Sequence, residues 1–505
     1  MSLTKVSYSM ITGAPVNVTD FGAVGNGTND DTAAIQAAFD SLPSSGGIVY
    51  FPPATTYLIN TTINITKSNV VADFGAQSVN FKSTFTKPGS GDPSLYSIMF
   101  YITGANVTIV NGRFGNGSYT DGGSYIWFAS GANNGTVDNC QHSGLPYNAS
   151  NSVAIQTRTG TSGIRVVNNY FFNCAGSVSM QGSNGLIDNC TSTITSAQAT
   201  TVTGVSDQAY GIDGSDGNAI TNCRVDRGVG APISGSNIGA NTSSTNFIIS
   251  GNRVTGLVGG VGIFINASNY GVVTNNIISG SGYTTTGTWT MARITGGSVN
   301  FVNNTLTNPP TGYVGRGIDV VAANNTVANN QFLMGSAASL YADIAIQQNA
   351  TPGPIYITDN SLVSVNRGIY FDGITDNGSK PIVLSGNVYY DPITTPYQGD
   401  GSMTANAPLW ISNEKFASSA ITTFGINTHK LFRPFNTFNA YKFPINTAQN
   451  FVFYSGEVPT GANYSTATWS VGDTVLNSSP SVGQPTGWKC TVAGTPGTWV
   501  ALANL

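Results

Sequence analysis

Val137-Asp138-Asn139-Cys140, Ile187-Asp188-Asn189-Cys190 and Ile220-Thr221-Asn222-Cys223 are copies of one phrase: an apolar residue, a spacer, Asn, then Asn or Cys. The phrase returns at Val166-Val167-Asn168-Asn169 and continues through Gly251-Asn252, Asn275-Asn276, Asn303-Asn304, Asn329-Asn330, Asp359-Asn360 and Gly386-Asn387. The second residue of each pair falls at 140, 169, 190, 223, 252, 276, 304, 330, 360 and 387, so the steps run from 21 to 33 residues. A period in that range marks a stacked repeat. Around each Asn the residues alternate apolar and polar, but Ile220 and Val225 lie five apart, which breaks the period of two. A bend does that, and Asn tolerates the left-handed conformation a tight bend needs. Each repeat is therefore strand, Asn corner, strand and variable connection, stacked so that Asn lies on Asn. The fold class this predicts is all-β: a right-handed, single-stranded parallel β-helix of about ten or eleven coils, extending from about residue 45 to 400.

Composition agrees. Of 505 residues 8% are charged, 40% are hydrophobic and 61 are Gly, where ordinary globular chains carry about 25% charged residues. The net charge of -4 and the scatter of single Arg residues form no basic patch, which argues against nucleic acid as a partner. A solenoid adds coils without needing a new core, so the length does not demand three domains. Met1–Met10 lacks a continuous apolar segment, so no signal peptide is expected, and no run of ~18 apolar residues suggests insertion into a membrane. Cys140, Cys190 and Cys223 occupy the corner position, with Cys174 and Cys490 elsewhere. Without a CxxC pair or a His-Cys cluster they read as structural thiols in a chain folded in a bacterial cytoplasm, with no metal and no cofactor.

Ahead of the coils, Val16-Asn17-Val18-Thr19-Asp20-Phe21-Gly22-Ala23 leads into Asp30-Asp31-Thr32, any of which can cap a helix with Ala34, Ile35, Ala38 and Phe39 on its apolar face. Ile48-Val49-Tyr50-Phe51-Pro52-Pro53 and Tyr57-Leu58-Ile59 follow. This stretch resembles the start of the pectate-lyase-like superfamily, in the branch of phage tailspikes and polysaccharide depolymerases, and Lys5–Ile11 resembles the linker before tailspike β-helices. The resemblance implies a helix-capped β-helix, a bacterial surface polysaccharide as partner, a homotrimer, and release at lysis or attachment to a phage particle or adaptor protein. Residues 1–20 are then a linker, 21–404 the capped β-helix and 405–505 a C-terminal β module. That module, with Trp469, Trp488 and Trp499, resembles the small module that ends tailspike and fibre chains, which implies trimer assembly or carbohydrate contact.

A second strand in each coil carries Gly-Ile or a similar pair: Gly211-Ile212, Gly262-Ile263, Gly317-Ile318 and Gly368-Ile369. With Ile inward, Asp213, Ser234, Phe264, Arg293, Asp319, Ala345 and Tyr370 align along one outer face. The connections before these strands carry Tyr210, Tyr283, Trp289, Tyr313 and Tyr341. Aromatic walls around a sparsely charged face make a groove for sugars. The only glutamates are Glu414 and Glu457, so carboxylate catalysis on the solenoid falls to Asp. Coils stack ~4.8 Å apart, so an Asp319/Asp343 pair offset by two residues predicts a diagonal of ~8 Å, suited to an inverting glycosidase. Arg293 and Arg316 beside them suit acidic sugars; an Arg/Asp ion-pair ladder is the plain structural alternative.

Asp213 and Asp226 form the second candidate pair, around Tyr210–Gly217. That stretch resembles the Asp motifs of polygalacturonase-type hydrolases, without their Asn-Thr and Gly-His-Gly elements. His142 takes an inward position two residues after a corner, and His429 lies beyond the solenoid. A lyase using a His or Tyr base, with Arg293 or Arg316 on a uronate carboxylate, is the alternative enzyme. A receptor-binding spike or adhesin without catalysis is the alternative from another class. Endo-glycosidase action on a capsule, exopolysaccharide or O-antigen is the favoured reading, with Phe264, Trp289, Tyr283, Tyr313 and Tyr210 as sugar-binding aromatics.

Overall fold

In a computed structural model the chain divides into two compact units, residues 1–299 with 307–312 and residues 300–306 with 313–505. The structure describes residues 14–505 apart from 87–96, 120–122, 147–151, 196–207, 228–235, 242, 257–260, 267–268, 281–287, 308–313, 335–341, 348–352, 364–365, 373–381, 400–408, 413, 418–430, 433–451, 456–468, 470, 478–479 and 495–496.

Within the first unit each coil contributes three short strands to three parallel sheets. Before the Asn corner, Val137, Val166, Ile187, Ile220, Ile249 and Val273 pair in register and point inward. After the corner, Phe114, His142, Phe171, Ser192, Val225, Val254 and Ile278 form the second inward row. In the third sheet the row is Phe100, Ile126, Ile155, Val178, Tyr210, Ile238, Ile263 and Ala292. The second unit repeats the plan: Phe301, Val327, Ile357, Leu384 and Ile411 precede the corner, and Ile318, Ile344, Ile369 and Tyr397 fill the third sheet. The parallel β-helix expected from the repeat is the fold observed.

The corner uses its two residues differently. The first takes the left-handed conformation, with φ of 53° at Asn139, 57° at Asn168, 53° at Asn222 and 56° at Asn329. The second is buried and sews one coil to the next. Asn252 Oδ1 accepts from the Cys223 amide at 2.8 Å, while its Nδ2 donates to Ile220 O at 2.9 Å. Asn276 does the same one coil on, accepting from Asn252 N at 2.9 Å and donating to Ile249 O at 3.0 Å. In the second unit Asn330, Asn360 and Asn387 continue the pattern through Phe301 O, Val327 O and Ile357 O. Cys replaces Asn because its thiol reaches the same carbonyl: Cys190 Sγ lies 3.4 Å from Val166 O. All five cysteines are buried free thiols, and burial pushes Cys140 and Cys174 up to about 12.

Glu414 ends the second unit's ladder. Its Oε1 accepts from Asn387 N at 3.1 Å and Nδ2 at 2.9 Å, and its Oε2 takes the Tyr389 and Tyr397 hydroxyls at 2.6 Å. Burial pushes this carboxyl up to about 7, against the lowering effect of those donors. In the first unit, helix Thr32–Ser41 turns Ile35, Ala38 and Phe39 into the interior, with Ala34 half-buried. Asp31 sits at its N-cap, but its carboxylate takes the amides of Val24, Gly25 and Leu58 instead. Asp30 bonds Thr32 N at 3.0 Å in its place. Near the C-terminus Gly487–Val492 pairs antiparallel with Thr474–Asn477 and Thr498–Ala501 over Trp469, Val475, Trp488 and Cys490.

Two predictions follow from this interior. Asn252→Ala removes the partners of a buried amide and a buried carbonyl, each worth ~1–3 kcal/mol when left unsatisfied. Asn252→Cys, which restores a donor to the carbonyl, should recover part of that loss, as read by urea denaturation of the two variants. His142, stacked 4.7 Å from Phe171 and 5.3 Å from Phe114, is held neutral by burial, with its pKa lowered to about 3 and only partly countered by Asn169. The unfolded imidazole titrates near ~6.5, so this site's contribution is intact above that pH and falls as the pH drops toward the folded value, by ~1.4 kcal/mol per unit. His142→Phe should flatten the acid limb of the stability profile relative to the parent, and an unchanged limb would refute the assignment.

Candidate active site

Inward Ile and Val on the third sheet force the alternate residues outward, where they form rows along the coils. In the first unit the outward row is Tyr101, Trp127, Gln156, Ser179, Gly211, Gly239, Phe264 and Arg293. The register differs from the expected one by two residues at Asp213: Gly211, not Asp213, shares the row of Phe264, and Asp213 pairs with Asn241. Gly211 and Gly239 are small because the Gln208 carboxamide lies on them; a Cβ there would meet it at 2.5 and 2.1 Å. Gln208 bonds Ser236 and Asn241, and Asp213 accepts from Ser179 Oγ at 2.6 Å and Asn241 Nδ2 at 2.5 Å. The guanidinium of Arg293 stands 6.0 Å over the Phe264 ring, and that of Arg158 5.2 Å over Trp127.

Several expected site residues lie elsewhere. Tyr210 faces the interior, fully buried, edge-on to Phe171 at 6.2 Å, because its strand pairs it with Val178 rather than leaving it in a loop. Asp226 belongs to the strand Arg224–Arg227 on the second sheet, where it forms an exposed pair with Arg224 at 3.3 Å, so it does not face Asp213. Tyr283, Tyr313, Tyr341 and Ser234 lie outside the described residues. Trp289 belongs to the strand Thr288–Ile294, and its side chain is outside them too.

The second unit carries the denser cluster. Asp319 is in register with Ala345 and Tyr370 on the outer row. Asp343 does not join it. The register is constant from Arg316↔Ala342 to Ile318↔Ile344, so Asp343 falls beside Gly317, where a Cβ would meet the interior side chains of Phe332 and Met334. Asp343 is fully buried, whereas the expected Asp319/Asp343 diagonal sets it on an open groove. Asp372 takes its place. Arg316 donates through Nη1 to Asp319 Oδ1 at 2.7 Å and through Nη2 to Asp372 Oδ2 at 2.5 Å. Gln347 Nε2 lies 3.3 Å from Asp319 Oδ2 and 3.4 Å from Asp372 Oδ2. Those two oxygens are therefore no farther apart than these distances laid end to end.

Electrostatics follow from this placement. Burial alone would lower the Arg316 pKa, but the Asp319 carboxylate, then Asp372, outweigh it and hold the guanidinium above its ordinary value. The Asp319 side chain is 6% exposed and that of Asp372 32%. Two cations approach Tyr370, with Arg316 6.0 Å and Arg367 5.5 Å from its ring centroid. Among the described residues no group of three His, Cys, Asp or Glu side chains is arranged to hold a metal. Asp372 escaped the sequence reading because it follows Tyr370 by two positions, a spacing that acquires meaning only once the coils are stacked.

Residues 15–225 match the family model described as rhamnogalacturonase A/epimerase, pectate lyase-like. The curated mannuronan C5-epimerases AlgE1 and AlgE3 of Azotobacter vinelandii are 52% identical over 44 residues, which is 9% of this chain and 3% and 2% of theirs. The A-module of A. vinelandii mannuronan C-5 epimerase AlgE6 superposes with a TM-score of 0.52 at 15% identity, covering 74% of this chain and 99% of that one. A tailspike protein of E. coli bacteriophage HK620, in complex with a pentasaccharide, gives 0.51 at 12% identity over 82% and 80%. A double mutant of that tailspike gives 0.58 at 12% identity over 98% and 91%. No described helix is long and apolar enough to cross a membrane.

Proposed function

We propose that this pectate-lyase-like β-helix is a depolymerase of the tailspike kind, which binds a bacterial surface polysaccharide along its third sheet and hydrolyses it with Asp319 and Asp372. The observation that carries the proposal is the sharing of one guanidinium and one carboxamide by these two carboxylates on an outward face. Retaining glycosidases hold their carboxyl groups ~5–5.5 Å apart and inverting ones ~6.5–9.5 Å. The Gln347 bridge fits the shorter range and reaches only the lower edge of the longer one, so retention is the stereochemistry we assign. Asp372, the more exposed, is assigned to the leaving oxygen as general acid. Asp319, nearly enclosed and backed by Arg316, attacks the anomeric carbon, and water then releases the glycosyl group with Asp372 as base.

The pentasaccharide complex of the structurally similar HK620 tailspike supports the glycan class. A second reading, β-elimination or epimerisation at a uronate, is favoured by one observation, the approach of both Arg316 and Arg367 to the Tyr370 ring. There Tyr370 would take the proton beside the carboxylate that the arginines neutralise. Carriage on a phage particle and assembly as a homotrimer extend the tailspike reading, closed cyclic assembly covering the neutral flanks of the coils. Light scattering should then give three times the chain mass, and a monomer mass across a wide concentration range would end the trimer.

Incubation with capsular polysaccharides and O-antigens, followed by assays for new reducing ends and for unsaturated uronate, separates the chemistries. Asp319→Asn and Asp372→Asn should each lower the release of reducing ends by ~10²–10⁴-fold. The melting temperature of Asp372→Asn should hardly move, since a surface ion pair is worth ~0–1 kcal/mol. Full activity in both variants would leave Arg316 as the centre of a merely structural ion pair. Unsaturated products lost in Tyr370→Phe would establish the elimination.

A further inference from the structure

The first unit has a second concave site, at the corner between its first two sheets. Between the registered pairs Asp73↔Val110 and Ser78↔Arg113 the earlier coil has four residues and the next coil two. The longer turn overhangs the shorter one. Ala76 holds the overhang in a left-handed conformation, φ 64°, with its amide on Asn111 O at 2.8 Å. Beneath it opens a pocket of about 400 Å³ lined by Gly75, Ala76, Asn111, Gly112, Arg113, Asn139 and Gln141. None of these is acidic.

Three polar groups in this pocket, all on exposed residues, make no bond among the described residues. The Asn139 amide donates to Asn111 Oδ1 at 2.8 Å, and Asn111 in turn to Asp73. The next residue of the ladder, Asn168, skips Asn139 and donates to Asp138 at 2.8 Å, which leaves Asn139 Oδ1 open. The Gln141 carboxamide and the Arg113 guanidinium are the other two, both on exposed outward positions. Arg113, Gln141 and Tyr170 are in direct register on successive coils, a strip of roughly 10 Å at the usual strand spacing. Tyr170 is 39% exposed and lies nearly parallel to Phe172, with ring centroids 6.4 Å apart. It offers a flat apolar face beside a hydrogen-bonding one.

We propose that this pocket binds an acidic sugar of a polysaccharide, with the uronate carboxylate on Arg113, ring hydroxyls on Gln141 and Asn139 Oδ1, and the adjoining sugar ring over Tyr170. A planar guanidinium fork matches a carboxylate in two parallel bonds. The absence of lining carboxylates selects a negative group, and the unfilled acceptor of Asn139 selects one that also carries hydroxyls. A bare anion uses the first feature and not the second. The site is a docking point that holds the chain on the first unit, separate in sheet and in residues from the Asp319/Asp372 cluster. It rests on the glycan reading above only for the kind of ligand, and its test reads binding rather than cleavage.

The test uses the full chain carrying Asp319→Asn, so that turnover of the ligand during the titration is slowed by ~10²–10⁴-fold. Calorimetric titration with hexagalacturonate and hexamannuronate should show a binding event that Arg113→Gln weakens at least tenfold and Tyr170→Ala several-fold. Maltohexaose, uncharged, should not bind at this site, and inorganic phosphate should compete only weakly. In the parent background Arg113→Gln should leave the cleavage rate of a short soluble oligosaccharide unchanged while slowing that of long polymer. Equal affinity in Arg113→Gln for both uronates, equal binding of maltohexaose, or displacement by phosphate at the uronate's own concentration would each overturn the proposal. Failure of catalysis with the uronate binding intact would instead refute the depolymerase and leave this site standing.

Discussion

The structure depends on one buried hydrogen-bond relay. At each corner the second residue offers an oxygen to the backbone of the preceding coil and a hydrogen to its carbonyl, as Asn252 does for Cys223 and Ile220. The backbone ladders of the three parallel sheets set the rise from coil to coil, and the relay carries that directional bonding through the bend, where the hydrophobic rows beside it are non-directional. A bend in the chain strands polar backbone groups inside an apolar column, and those groups must be satisfied. Asn is suited because it supplies both a donor and an acceptor on a short side chain. Cys supplies the donor, and its own amide is taken by the Asn of the following coil, as at Cys140 and Asn169. Glu414 supplies only acceptors, so its second oxygen takes two tyrosine hydroxyls.

A relay this regular makes the outer surface a set of straight rows, and function is read from what departs from regularity. In the second unit Asp343 lies fully buried beside Gly317 while Asp319 holds the outer row, although they come from neighbouring strands. Asp319 then finds its counterpart on the strand Arg367–Asp372, through a guanidinium that reaches across the coils. In the first unit a turn lengthened by two residues opens a pocket where regular stacking would leave none. The solenoid supplies position; its irregularities supply chemistry.

The buried ionisable groups carry opposite dependences on pH. His142 in the first unit loses stability as the pH falls from the unfolded imidazole's value toward about 3. Glu414 in the second, raised to about 7, favours folding below the ordinary carboxyl range and loses that contribution as the pH rises through its folded value. Where the two windows overlap the effects oppose one another. Single substitutions are therefore more informative than the pH profile of the parent.

The repeat, the corner and the inward rows were all legible in the sequence, because each is a local pattern: Asn pairs at a fixed rhythm, and apolar residues that break step across them. His142 at an inward position and a helix over Thr32–Ser41 came from the same reasoning. The site was legible only in part. Asp319 and Arg316 stand out as charges on an otherwise neutral strand, but an unbroken period of two puts Asp343 outward, and its full burial beside Gly317 does not follow that alternation. By sequence Tyr210 reads as a loop residue, yet it is core, and Asp226 reads as a partner of Asp213 although it lies on another sheet. Asp372, Gln347 and the Arg113 pocket were invisible, since nothing in a single coil indicates which side chains of the coils above will reach it. Sequence fixes the period of a stack because the period is local; register and overhangs are decided only when the coils meet, because they arise from the difference between one coil and the next.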